Sequence, residues 1–355
     1  MNRFLRTLAT VLLPLLLGGC YYLHLATGEA GVLMKREPIR KLLADPHIDP
    51  ALKHRLRLAL RARAFASDRL DLPRNRSYTT YADIGRPFVM YNVFATPPLS
   101  LDPVEHCFPI AGCVAYRGFY TKARAVAAAK KLRRKGDDVY IGGVPAYSTL
   151  GHFADPVLSS MDRWSDDELV GTIFHELAHQ KLYLKGDTTF NESFATFVQR
   201  EGLRQWHAAE HIAPSDPGAA RRRHRFTELV LATRQRLQPI YASHRSDAAK
   251  RRLKQAAFAT LRARYRALRA GPWRDHDDYD AWMAQPLNNA TLLPFGLYDT
   301  EVPAFAALFA QVHGQWPAFF TAVRTVSKLP QEQRRARLRA LAQAHASTGN
   351  IIGKR

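Results

Sequence analysis

The chain has 355 residues, 46% of them hydrophobic, and a formal net charge of +21 from 52 Lys and Arg against 31 Asp and Glu. That length and apolar content can bury a large core, as one elaborated domain or as two lobes. The basic balance permits attraction to anionic surfaces, but no nucleic-acid-binding module, internal repeat or low-complexity tract is recognisable, and nucleic acid is not expected as a partner.

At the start, Arg3 and Arg6 precede an apolar run from Leu8 to Leu17 and then Gly18-Gly19-Cys20. The run is too short to span a bilayer and has the layout of a secretory signal. Leu17-Gly18-Gly19-Cys20 resembles the lipobox of bacterial lipoproteins. The resemblance implies a signal peptide over residues 1–19, lipidation of Cys20, and a periplasm-facing anchor. Because Tyr21 rather than Asp follows, that anchor is expected in the outer membrane. Loss of Arg3 and Arg6 takes the net charge to +19. A plain signal peptide or a buried first helix is the alternative.

Residues 21 to about 75 read as helical, with Leu52, Leu56 and Leu60 on one face. Strands follow at Phe88 to Phe94, Val114 to Tyr120 and Val139 to Ile141, with clear alternation in the first. An Ala-rich helix over 121–135 ends at Gly136. Cys107 and Cys113 remain as an even pair once Cys20 is set aside. An oxidising compartment suits a small disulfide loop there. Two buried thiols are the alternative, and the spacing fits no cysteine zinc site. Gly142 to Gly151 is glycine-punctuated and extended. Within it Tyr147, Ser148, Thr149 and Gly151 read either as an edge strand that holds substrate backbone by β-addition or as a structural loop.

Ser165-Asp166-Asp167-Glu168 is a capping box, with the acids at the positive end of the helix. Leu169, Ile173, Phe174 and Leu177 give its apolar face, Lys181 and Lys185 lie near its far end, and Gly186 is placed to terminate it. This helix carries His175-Glu176-Leu177-Ala178-His179. Histidines four apart lie on one helical face, one turn from each other, so both imidazoles can reach one metal ion. A second helix is expected from Asn191 to about His207, with Glu192 in its first turn as a third ligand. Three protein ligands leave one position open, the arrangement that hydrolytic zinc needs. Glu176, between the histidines, is placed as general base.

A linker at 213–218 leads to basic helices over 220–238 and 246–270, whose Arg residues read as solvated faces. A final helix lies around Pro303 to Phe320, before a charged tail. The order gives an α+β chain, predominantly α. It divides into a signal peptide at 1–19, N-terminal helices, a small sheet and the zinc region at 20–212, and a helical lobe at 213–355 that packs on the catalytic core.

His175-Glu176-x-x-His179 with Asn191-Glu192-Ser193-Phe194-Ala195 resembles the gluzincin metallopeptidases, although the link between the motifs is shorter than in the large zinc aminopeptidases. The chain is also similar, over nearly all of residues 20–355, to the bacterial envelope proteins called predicted aminopeptidases. That likeness rests on Phe108-Pro109-Ile110-Ala111-Gly112, Tyr116-Arg117-Gly118-Phe119, Ala146 to Gly151, Asp155-Pro156, the zinc segment, and Asn288-Asn289-Ala290 with Tyr298. The resemblance implies a zincin-like core and a single Zn²⁺ on His175, His179 and Glu192. It also implies a peptide or protein substrate, and Tyr298 as oxyanion partner unless that tyrosine is structural. For an aminopeptidase, Asp187, Glu201 or Asp299 are available to meet the substrate amine, and a selective endopeptidase stays open. The competing classes are a non-catalytic scaffold with structural zinc and a basic surface-binding protein.

Overall fold

The computed structural model describes residues 21–108, 112–295 and 301–352, with side chains to 344. Cys20, the expected signal peptide, Tyr298 and Asp299 lie outside the described residues. The fold is predominantly helical with small sheets. Helix α1 covers residues 21–34. Strand β1 (Arg36–Pro38), helices α2 (Ile39–Ala44) and α3 (Pro50–Arg69), and strand β2 (Thr80–Ala82) follow. The N-terminal region is thus less uniformly helical than expected: Pro38 and Pro50 divide it, because proline cannot donate within a continuing helix.

Strand β3 (Met90–Thr96) is the centre of an antiparallel sheet, flanked by β6 (Tyr116–Phe119) and β7 (Asp138–Val144). Its alternation decides its two faces. Val93 and Ala95 pack with Ala125 and Ala129 of α4 (Lys122–Arg134). Phe94 turns the other way, towards Tyr116, Tyr140 and a 3₁₀ turn at Asn289–Leu292. Hairpin strands β4 (His106–Phe108) and β5 (Gly112–Val114) place Cys107 opposite Cys113, and the two form a disulfide. Strand β8 (Val157–Leu158) pairs parallel with β2.

Helix α5 (Asp166–Lys181) begins at the Ser165 capping box, and its apolar face is buried. It ends at Lys181 rather than running on towards Gly186. The reason lies beyond the helix. The buried Asn191 side chain accepts from Leu184 N at 2.7 Å and donates to Leu184 O at 2.8 Å, which holds the connection extended. Gly186 instead forms the turn, at φ +81°. Helix α6 (Thr188–Glu210) starts at the Asp187 cap, earlier than expected, so Glu192 sits in its second turn.

The C-terminal region divides its apolar contacts between two clusters. Helices α7 (Ala219–Ala242) and α8 (Asp247–Ala270) form a hairpin around Phe226, Val230, Leu237, Phe258 and Leu261. After the short α9 (Asp280–Met283), helices α10 (Val302–Gln311), α11 (Trp316–Ser327) and α12 (Gln331–Ile352) join the main core instead. The helix expected over Pro303 to Phe320 is therefore two, broken where His313 and Gly314 adopt left-handed φ. The charged tail is itself helical. Arg334 anchors it, pairing with Asp187 Oδ2 at 2.6 Å where both side chains are buried. No helix of the described residues is long and apolar enough to cross a membrane.

Breaking a buried ion pair strands the remaining charge. Arg334→Ala and Asp187→Ala are each expected to cost about 3–5 kcal/mol, read by urea unfolding, with the double variant losing less than the sum of the singles.

Candidate metal centre

Helices α5 and α6 pack face to face, and two glycines allow the approach. A Cβ on Gly171 would stand 2.8 Å from Leu203 and 3.0 Å from the Gln199 amide; one on Gly202 would stand 2.8 Å from the Phe174 ring. On its other side α6 is fixed by aromatic packing of Phe190 and Phe194 on Phe305, and of Phe197 on Phe309 and Phe319. The side of α6 that carries Glu192 is thereby held against α5.

Three side-chain atoms converge across that contact. His175 Nε2 and His179 Nε2 are 3.1 Å apart, and Glu192 Oε2 lies 3.3 Å from the first and 3.7 Å from the second. Among the described residues this is the group of His, Cys, Asp or Glu able to share a metal ion. The separations fit a common centre about 2 Å from each atom, the distance of zinc ligands. Burial opposes a charged Glu192, but His179 and His175 outweigh it and hold the carboxyl well below the usual carboxylate range. A partly buried anion facing two imidazole nitrogens suits a divalent cation. His175 Nδ1 lies 3.2 Å from Gln199 Oε1, an outer contact that fixes the ring as metal-binding imidazoles require. His179 Nδ1 is buried and has no hydrogen bond among the described residues.

Glu176 and His175 line a cleft of about 470 Å³. Burial pushes the Glu176 carboxyl up to about 7; His175 opposes this, and the charges of Glu192 and Asp155 add to it. Beyond α5 and α6, Pro145, Trp164, Arg223 and Phe295 contribute to the walls.

Residues 147–151 do not form the expected edge strand. Leu150 and Gly151 both have positive φ, which no pleated strand accommodates. Their neighbours serve internal contacts. Tyr147 donates to Glu29, while Ser148 Oγ and Thr149 Oγ1 donate to the buried Asp155 carboxylate at 3.4 and 2.7 Å. The outer strand beside the cleft is β7, whose sequel Pro145-Ala146 reaches the cleft wall. Asp187 and Glu201, available in sequence for a substrate amine, bond Arg334 and Arg204.

Several neighbours of the site carried no readable motif. Gln199 is one, two helical turns after Glu192 on the same face. Tyr183, four residues past His179, has its ring 6.4 Å from that imidazole; burial and the Glu192 charge raise its pKa. Tyr78 is buried with φ +61°, its hydroxyl has no partner among the described residues, and burial together with the charges of Glu176 and Asp155 raises its pKa.

A family model described as Putative aminopeptidase matches residues 20–338. The chain belongs to this family. No curated protein and no solved structure matches it. Membership supports a peptidase function in general. In this family member the helix contact is the element that unites the site. Gly171→Val is expected to overpack that contact and to cost about 1–3 kcal/mol, measured by urea unfolding, whereas Gly136→Ala, on an open turn, leaves the α5–α6 contact unchanged.

Proposed function

We propose that the protein is a zinc-dependent peptidase of gluzincin type with a zincin-like core. In this reading His175, His179 and Glu192 hold one Zn²⁺. The supporting observation is the convergence of these three side chains, with His175 and the adjacent Glu176 lining one cleft. When bound, the cation supplies Lewis acidity, polarising the scissile carbonyl and acidifying water.

The chain's own residues then order the proton traffic. A Glu176 carboxylate oxygen takes a proton from water as the water oxygen attacks the carbonyl carbon. The same carboxyl gives that proton to the nitrogen as the C–N bond breaks. Gln199 keeps the His175 ring oriented. Tyr298, on sequence grounds, is the proposed oxyanion donor. Because Glu176 accepts protons only when ionised, kcat/KM falls as pH drops through its pKa. A cation nearby favours the ionised form, so the acid limb is expected below the value of about 7 that burial sets.

The lipobox resemblance supports the further proposal that the enzyme is anchored to the outer membrane through Cys20 and acts on peptides in the periplasm. Cys20→Ser should then move the chain from the membrane to the soluble fraction after ultracentrifugation. Cleavage confined to free-amine peptides marks an aminopeptidase; equal cleavage of N-acetylated ones marks an endopeptidase.

Glu176→Gln is the decisive variant. It is expected to retain one zinc per chain by metal analysis while kcat falls by about 10²–10⁴. Full activity in that variant rules out the proposed base. Gln199→Ala should weaken zinc by roughly 10–100-fold in chelator competition.

A further inference from the structure

The metal cleft continues into a second cavity of about 620 Å³, with Trp164, Thr172, Gln199 and Arg223 on the walls of both. The acids that line this extension are engaged within the protein. Asp167 Oδ1 lies 2.7 Å from His207 Nε2, and Asp167 Oδ2 accepts from Ser215 N at 2.7 Å. Glu168 closes the α5 capping box. Asp216 and Asp278 both bind the buried Arg222. Arg223 is different. It is exposed, and it has neither a hydrogen bond nor an ion pair among the described residues. Among the described residues, Glu176 is the carboxylate that lines the metal-side cavity.

A guanidinium pairs with a carboxylate through a planar, bidentate fork. Among the described residues of both cavities, a substrate ammonium finds no unengaged acid other than the one reserved for proton transfer. We propose that the cleft selects peptides bearing a carboxylate close to the scissile bond, and that Arg223 is the residue that reads it. This rests on the peptidase reading of the same site. The carboxylate is either the C-terminus of a short peptide or the side chain of an acidic residue. The first source limits the enzyme to short substrates or to chain ends; the second allows longer ones.

The test compares a tripeptide acid, its C-terminal amide, and an amide with Glu beside the scissile bond. Each is measured for cleavage by the zinc-loaded full chain and for binding by calorimetry to the Glu176→Gln variant. The expected result is a preference of tenfold or more for one carboxylate-bearing peptide over the neutral amide, carried by KM and by Kd. Arg223→Ala should abolish that preference, and Arg223→Glu should invert it towards a lysine-containing peptide. Preference for the free acid alone identifies the C-terminus as the group read; preference for the Glu amide identifies the side chain. Equal binding of all three peptides to the unsubstituted cleft, or a preference that survives Arg223→Ala, overturns the proposal. Binding without cleavage in the zinc-loaded chain leaves the carboxylate selectivity standing and removes the peptidase reading.

Discussion

The approach of α5 to α6 is the constraint on which the site depends. Glu192 places a carboxylate within 4 Å of two imidazole nitrogens in a largely buried setting. Taking a carboxylate out of water costs several kcal/mol unless it is paired, so those groups stay together only because the surrounding structure holds the helices. Gly171 and Gly202 remove the side chains that would keep the helices apart. The Asn191 amide grips Leu184 and fixes the length of the connection. Asp187 caps α6 and is itself held by Arg334. The C-terminal helix thereby supports a candidate centre whose residues lie far away in sequence.

The two C-terminal clusters divide their work. The aromatic side chains of α10 and α11 buttress the back of α6, opposite the ligand-bearing face. Helix α7 stands in front, and its Arg223 and Thr227 form part of the cleft wall. Its apolar contacts belong to the separate cluster shared with α8. The geometry of the candidate metal site and the lining of the cleft therefore rest on different cores. Changes at Phe305 disturb the ligand helix; changes at exposed positions of α7 alter the wall without touching it.

The local parts of this structure were readable from the chain. Ser165 to Glu168 capped the histidine-bearing helix, the i, i+4 histidines shared a face, and the alternation around Val93 located the central strand, because each signal lies within a few residues. What escaped depends on partners distant in sequence. The end of α5 at Lys181 follows from an amide ten residues later. Helicity past Gln331 was hidden by its charge, since only tertiary contact shows that Arg334 points inward. Gln199 has no motif around it, although its seven-residue spacing from Glu192 on a helix was available as a signal.

The segment after β7 shows how one buried acid can redirect a chain. Glycines and alternating small residues at 142–151 favour an extended path by propensity alone. Asp155, however, is buried, and burial, partly offset by donors from Thr149 and Ser148, moves its carboxyl up to about 6. Those donors are available only if the chain curls back on itself, which requires the positive φ of Leu150 and Gly151. Gln180 joins the same carboxylate at 2.9 Å from α5, one residue beyond His179. Satisfying one buried acid therefore costs the chain two strand residues and ties the loop to α5. The edge available beside the cleft is consequently that of β7, and its reach ends at Pro145, where backbone donation stops.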